Sequence, residues 1–186
     1  MKNIVDETCK ILEKGGTILY PTDTIWGLGC DACKENAIAK IYDIKNRAKG
    51  KSMLVLVDSI EMVEKYVESV PEIAMQLIEA ADRPLTIIYP KARNLPKNLV
   101  AEDGSIGIRI VNDDFCRKVI HQLGRPIVST SANLAGANPP LGYCDVVSEI
   151  RKAVDYIVPM RQNELSSNKN SDIVKVDDAG NINVIR

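Results

Sequence analysis

Met53-Leu54-Val55-Leu56-Val57 is an unbroken apolar run. It is too short for a core helix and has the composition of a strand covered on both faces. Upstream, Ala37, Ile38, Ile41 and Tyr42 recur at helical spacing, and the helix they imply ends in the basic stretch Lys45 to Lys51. Earlier still, Val5, Cys9 and Leu12 mark a helix stopped by Gly15-Gly16, and Thr17-Ile18-Leu19-Tyr20 reads as a short strand broken by Pro21. Downstream, helical patterns cover Met62–Val67 and Ile73–Ala80, and strand patterns cover Leu85–Tyr89 and Ile106–Ile110. Phe115, Val119, Ile120 and Leu123 form one helical face, terminated by Gly124 and Pro126. Ile127-Val128 opens as a strand into a Ser/Thr/Asn/Gly/Pro-rich loop, Ser129 to Gly142. A helix near Val146–Val154 and strands at Tyr156–Val158, Ile173–Val176 and Ile182–Ile185 complete the pattern, the last two joined by a turn at Asp178-Ala179-Gly180-Asn181. Alternating strands and helices predict an α/β fold with a twisted mixed sheet flanked by helices. The final hairpin must pair antiparallel, because so short a connection cannot make a parallel crossover.

The 186 residues suit a single domain spanning 1–186, with 45% hydrophobic and 26% charged residues. Lys+Arg 24 against Asp+Glu 25 leaves a net charge of −1, so any polyanionic partner must meet a local patch. The five cysteines, Cys9, Cys30, Cys33, Cys116 and Cys144, are a poor disulfide framework and suggest a reducing compartment. The N-terminal stretch carries Asp6 and Glu7 where a signal peptide needs an apolar run, and no apolar run approaches the length of a membrane span. The expectation is a soluble cytoplasmic protein with no membrane partner.

Several familiar chemistries fail on spacing. Gly50-Lys51-Ser52 resembles the end of a phosphate loop, but Lys45 stands where the motif needs glycine, and the order is helix-then-strand. Cys30 and Cys33 have the spacing of half a zinc site with no second Cys/His pair, leaving two small semi-buried residues or a redox pair. His121 is the only histidine and lies beside Arg117 and Lys118 on a helix, so no Ser/His/Asp triad can be built around a buried base.

Three polar segments remain, each at a strand end where α/β proteins place ligands. Tyr20 to Cys30 holds Thr22, Asp23, Thr24, the only tryptophan (Trp26) and two glycines. Lys40 to Lys51 holds five basic residues and one acid, Asp43, a density that suits a polyphosphate better than solvent. Ser129-Thr130-Ser131-Ala132-Asn133, with Gly136, offers donors for phosphate or ribose oxygens. In Ser105-Ile106-Gly107-Ile108-Arg109, alternation puts Ser105, Gly107 and Arg109 on one face. A strand arginine there needs an anionic partner, which a small substrate's carboxylate can supply.

These residues resemble the YrdC-like threonylcarbamoyl-AMP synthases, in their short single-domain branch. The resemblance rests on Tyr20-Pro21-Thr22-Asp23-Thr24 with Gly27-Leu28-Gly29, Lys45-x-Arg47, Pro84-Leu85-Thr86, Gly107-Ile108-Arg109, and Thr130-Ser131-Ala132-Asn133 with Gly136. It implies a YrdC-like fold with a basic concave cleft. It also implies condensation of L-threonine, bicarbonate and ATP to threonylcarbamoyl-AMP and pyrophosphate, with Mg²⁺ accompanying the ATP. A transferase partner complex then modifies the tRNA adenosine beside the anticodon, and the tRNA is held in a basic groove.

Matched by motif, Thr24, Arg109 and Ser171 bind L-threonine, Arg109 taking its carboxylate. Lys45 and Arg47 are the catalytic cations, and Arg47, Lys51, Ser105, Ser129, Ser131 and Arg186 hold the nucleotide. The chain departs from the family pattern at Ala48, Lys51-Ser52, Asp82-Arg83, Ile110-Val111-Asn112, Asn138-Pro139-Pro140 and Asp172. No residue is placed as a nucleophile or general base, so catalysis is expected from positioning and charge neutralisation. Three other readings stay open: a non-catalytic RNA-binding protein of the same fold, a sister branch of the same fold that tends to lose the Ser-Ala-Asn and Lys-x-Arg motifs present here, and a redox protein using Cys30 and Cys33.

Overall fold

Gly27-Leu28-Gly29-Cys30, expected within a binding loop, is a fully buried strand. It is β2 (Gly27–Cys30), and it pairs antiparallel with β1 (Thr17–Tyr20), Tyr20 opposite Gly27 and Thr17 opposite Cys30. The glycines serve this hairpin. A Cβ on Gly29 would sit 2.7 Å from both the Tyr20 ring and the Val128 carbonyl oxygen, so the buried Tyr20 ring occupies the space a side chain would take. Poor strand propensity hid β2; packing of an aromatic ring over glycine produces it.

The structure, a computed structural model, describes residues 1–47, 53–165 and 170–186. The helices are α1 (Lys2–Glu13), α2 (Glu35–Ile44), α3 (Ile60–Tyr66), α4 (Glu72–Ala80), α5 (Asp114–Leu123) and α6 (Ser148–Ala153). The remaining strands are β3 (Leu54–Val57), β4 (Leu85–Tyr89), β5 (Ile106–Ile110), β6 (Ile127–Ser131), β7 (Tyr156–Ile157), β8 (Asp172–Val176) and β9 (Ile182–Val184). Among the described residues, nine strands join one mixed sheet in the order β7-β1-β2-β6-β3-β5-β4-β8-β9. β3 pairs parallel with β5 and antiparallel with β6, which puts the apolar run that decided the fold at the sheet's centre. β8 and β9 pair antiparallel, as their short connection requires. The helix expected from residue 146 begins later, after a 3-10 turn at Tyr143–Asp145.

One face of the sheet is sealed by helices. α5 is capped by Asp113, whose side chain accepts from the Cys116 N–H at 2.9 Å, and it ends at Gly124 with φ +66°, a conformation glycine adopts without penalty. It buries Phe115, Val119 and Ile120, each such apolar side chain contributing about 1.5–3 kcal/mol by removal from water. α1 packs beside it through Val5, Cys9 and Leu12.

The opposite face across β6, β3, β5, β4 and β8 is different. Ser129 pairs with Leu54, Ile88 with both Gly107 and Lys175, and Thr86 with Ile173. Small and polar residues thus take the alternate positions of neighbouring strands and leave a hollow. Of β3, Val55, Leu56 and Val57 are fully buried as expected, whereas Leu54 opens onto that hollow. No helix among the described residues is long and apolar enough to cross a membrane.

Candidate active site

The hollow is a cleft of about 480 Å³, within the range of sites that hold a nucleotide-sized ligand. Its floor is Leu54, Thr86, Ile88, Gly107 and Ile173; Thr24, Ile25 and Gly27 form one wall, and Ser129 to Ser131 continue it. Among the described lining residues there are four cationic side chains, Arg47, Arg109, Lys175 and Arg186, and no carboxylate. Gly107 keeps the floor low: a Cβ there would stand 3.4 Å from Thr86 Cγ2 and 3.5 Å from Leu54 Cβ, filling space the cleft now uses.

Arg109 is the most deeply set of these cations. Its Nη1 donates to Thr24 Oγ1 at 3.2 Å, and its Nη2 lies 3.1 Å from Asp23 Oδ1. The anionic partner that a buried strand arginine requires is therefore Asp23, not only a substrate carboxylate as the sequence alone suggests. Arg109 Nε, also buried, has no hydrogen-bond partner among the described residues. A buried charged donor without an acceptor carries a desolvation penalty.

Thr24 is fixed by its own loop. Its N–H donates to Thr22 Oγ1 at 3.0 Å, the two threonine hydroxyls are 2.9 Å apart, and Thr22 Oγ1 donates to the Ile25 carbonyl at 2.8 Å. Arg161 braces this loop, with Nη2 donating to Asp113 Oδ2 at 2.7 Å and Nη1 reaching the Thr22 carbonyl at 3.5 Å. On the far wall, buried Ser171 shares a 2.8 Å hydrogen bond with Thr86 Oγ1. Arg186, just beyond β9, donates from Nη2 and Nε to the Ser171 carbonyl at 3.0 and 3.3 Å. At the rim, Asp103 accepts from Ser105 Oγ at 2.5 Å and pairs with Lys175 at 2.7 Å; these bonds hold its carboxyl well below the usual carboxylate range.

The cleft therefore brings together Thr24, Arg47, Ser105, Arg109, Ser129, Ser131, Ser171 and Arg186. Lys45 is near but does not line it: its buried ammonium donates to the Ser131 carbonyl and, at 2.7 Å, to the Asn133 carbonyl. Burial and the Arg47 charge push Lys45 down to about 8. Lys51, Ala48 and the phosphate-loop look-alike lie outside the described residues. Pro139 is in the lining, whereas Asp172 pairs with Arg83 at 2.8 Å and Asn112 donates its N–H to Asp23 Oδ2 at 3.2 Å. Asp23, Thr86, Lys175 and Asn170 received no role from sequence. A polar residue interrupting an apolar strand, Thr86 in Leu85–Tyr89 and Lys175 in Ile173–Val176, is the signal that marks two of them.

Cys30 and Cys33 are away from the cleft, Cys30 fully buried and Cys33 beside the Tyr66 hydroxyl at 3.7 Å. Burial raises both thiols, which opposes the thiolate a redox pair needs. Among the described residues no group of three or more His, Cys, Asp or Glu side chains could hold a metal ion.

The Sua5, YciO and YrdC family, described as telomere recombination, matches residues 10–186. A threonylcarbamoyl-AMP synthase of Pseudoalteromonas translucida (strain TAC 125) is 32% identical over 155 residues, which cover 81% of each chain. Among solved structures, E. coli YciO superposes with a TM-score of 0.86 at 24% identity, covering 100% of this chain and 89% of that one. P. abyssi Sua5, complexed with L-threonine, superposes with a TM-score of 0.81 at 23% identity over 92% of this chain. This chain spans 50% of that Sua5 chain's length. With a family match over residues 10–186 and a 32% identical relative covered to 81%, the chain belongs to the Sua5/YciO/YrdC family.

Proposed function

We propose that the protein is an L-threonylcarbamoyladenylate synthase, forming threonylcarbamoyl-AMP and pyrophosphate from L-threonine, bicarbonate and ATP. The observation that carries this reading is a single cleft lined by Arg109 and Arg47 together with serine and threonine hydroxyls. One cation is suited to a small carboxylate and the other to phosphates. Family membership and the 32% identical synthase supply the reaction class.

Arg109 and Thr24 orient the threonine carboxylate, and Ser171, braced by Thr86 and Arg186, contacts the amino acid. Arg47, Arg186 and the Ser105, Ser129 and Ser131 hydroxyls receive the nucleotide. The threonine amine attacks the bicarbonate carbon, and water leaves as the carbamate forms. A carbamate oxygen then attacks the α-phosphorus, the bond to the β-phosphate oxygen breaks, and pyrophosphate departs against Arg47. Mg²⁺ would enter as part of the nucleotide substrate, held mainly by phosphate oxygens, and would supply charge neutralisation there. The product passes to a threonylcarbamoyl-transferase partner acting on tRNA, which a basic groove receives.

The test is mass detection of threonylcarbamoyl-AMP from purified protein with threonine, bicarbonate and Mg-ATP, with serine replacing threonine as control. Threonine-dependent product without tRNA is expected. Salt-sensitive tRNA binding with no adenylate formed would instead identify a non-catalytic RNA-binding protein.

A further inference from the structure

Lys45 is a cation that the sequence places in the catalytic machinery and the fold withdraws from the cleft. It is the residue after α2 and is 2% exposed. Its backbone N–H donates to the Ile41 carbonyl at 3.1 Å, so the helix end sets where its side chain begins. Its Nζ donates to two carbonyls on the opposite wall, those of Ser131 and Asn133, and its own carbonyl accepts from the Ala135 N–H at 2.9 Å. Lys45 thus fastens the segment 131–135 through both side chain and main chain. Two residues farther on, Arg47 lines the cleft, as does Ser131. Strand pairing of β6 with β2 and β3 already places Ser129 to Ser131, and Lys45 adds a direct link from the end of α2 to the chain that leaves β6.

We propose that Lys45 is a positioning residue, a strut that holds the 131–135 segment, where the chain leaves β6, against the end of α2, and that it makes no contact with phosphate. The role rests on the nucleotide reading of the cleft. Three features favour it over a direct charge contact. The ammonium gives two of its three N–H bonds to protein carbonyls, and buried carbonyls left without donors are costly. Lys45 is absent from the described lining. Arg47 is the charged group acting on it, and repulsion from that cation together with burial already lowers its proton affinity to about 8. A neutral amine still has two N–H bonds, enough for two carbonyls, so the strut persists above that pH, whereas a phosphate contact would lose its charge.

The experiment compares wild type with Lys45→Met in two measurements, and follows wild type alone across pH in a third. Hydrogen exchange of amides 131–137 without ligand is expected to accelerate about tenfold or more in Lys45→Met, since the segment loses two anchoring donors. Mg-ATP affinity is expected to fall about tenfold or more, with L-threonine affinity changed less than about threefold. Wild-type Mg-ATP affinity is expected to vary less than about threefold between about pH 7.5 and 9.5. Unchanged exchange in Lys45→Met overturns the strut, and so does a tenfold loss of wild-type ATP affinity across that pH range, which would reveal a direct charge contact. If Lys45→Met does not fold, the wild-type pH series decides alone. Accelerated exchange with no ATP binding by wild type would instead defeat the nucleotide reading, and with it the positioning role, while leaving the structural link.

Discussion

Arg109 Nη2 lies 3.1 Å from Asp23 Oδ1, with side chains only 3% and 10% exposed, so an ion pair is buried directly beneath the substrate cleft. Asp23 also accepts the Asn112 N–H at 3.2 Å, which ties the loop after β1 to the end of β5. Breaking such a pair on one side strands a charge in low dielectric. Asp23→Ala is expected to destabilise the fold by about 3–5 kcal/mol in urea titration, and Asp23→Leu combined with Arg109→Met by clearly less. Additive losses would mean that the pair is solvated.

Arg47 is half-buried and outside any strand or helix. Arg47→Ala should leave the melting temperature within a few degrees while lowering threonine-dependent pyrophosphate release by about 100-fold or more, the scale for a lost transition-state cation. Unchanged pyrophosphate release would remove Arg47 from the site.

Ser171 and Thr86 share a buried 2.8 Å hydrogen bond. Ser171→Ala should cost about 1–2 kcal/mol, because the Thr86 hydroxyl is left buried without its partner, and should raise the KM for L-threonine. Adding Thr86→Val should recover part of the stability but none of the KM, since removing both partners of a buried bond is nearly neutral. Chemical denaturation and initial rates separate the two effects.

Gly29 and Gly107 make opposite predictions. A methyl on Gly29 meets the Tyr20 ring and the Val128 carbonyl at 2.7 Å, so Gly29→Ala should destabilise by about 2 kcal/mol or more. On Gly107 the nearest atoms are 3.4 and 3.5 Å away, an ordinary contact, so Gly107→Ala should keep its melting temperature and raise substrate KM values by shrinking the floor. Equal melting temperatures for the two variants would contradict the packing of Tyr20.

Lys45 adds a pH dependence whose sign follows from linkage. Its folded value of about 8 lies below the ~10.4 of an unfolded lysine. Between those values the unfolded chain binds more protons, so this group makes stability rise with pH in that window and withholds that stability below about 8. Urea midpoints at about pH 7.5 and 9.5 should therefore move apart between wild type and Lys45→Met, wild type gaining on the variant at the higher pH. Parallel curves would show that the lysine is solvated.

Local patterning along the chain was enough to specify the α/β class, the order of nearly all helices and strands, and the antiparallel final hairpin. Periodicity and turn chemistry act over a few residues and leave a signature within them. It also specified which types of residue the cleft would need: Thr24, Arg47, Arg109 and Ser131 were legible because hydroxyls and cations interrupt apolar strands or cluster at strand ends, whereas Ser171 came only from the family resemblance. Tertiary structure alone decided three things: that β2 is a strand, because Tyr20 lies over Gly29; that Arg109 answers first to Asp23, 86 positions earlier in the chain (109 minus 23); and that Lys45 turns to the carbonyls of Ser131 and Asn133. Each joins groups far apart in sequence, and which partner a buried charge or ring meets depends on how strands are ordered across the sheet, a property no local stretch encodes.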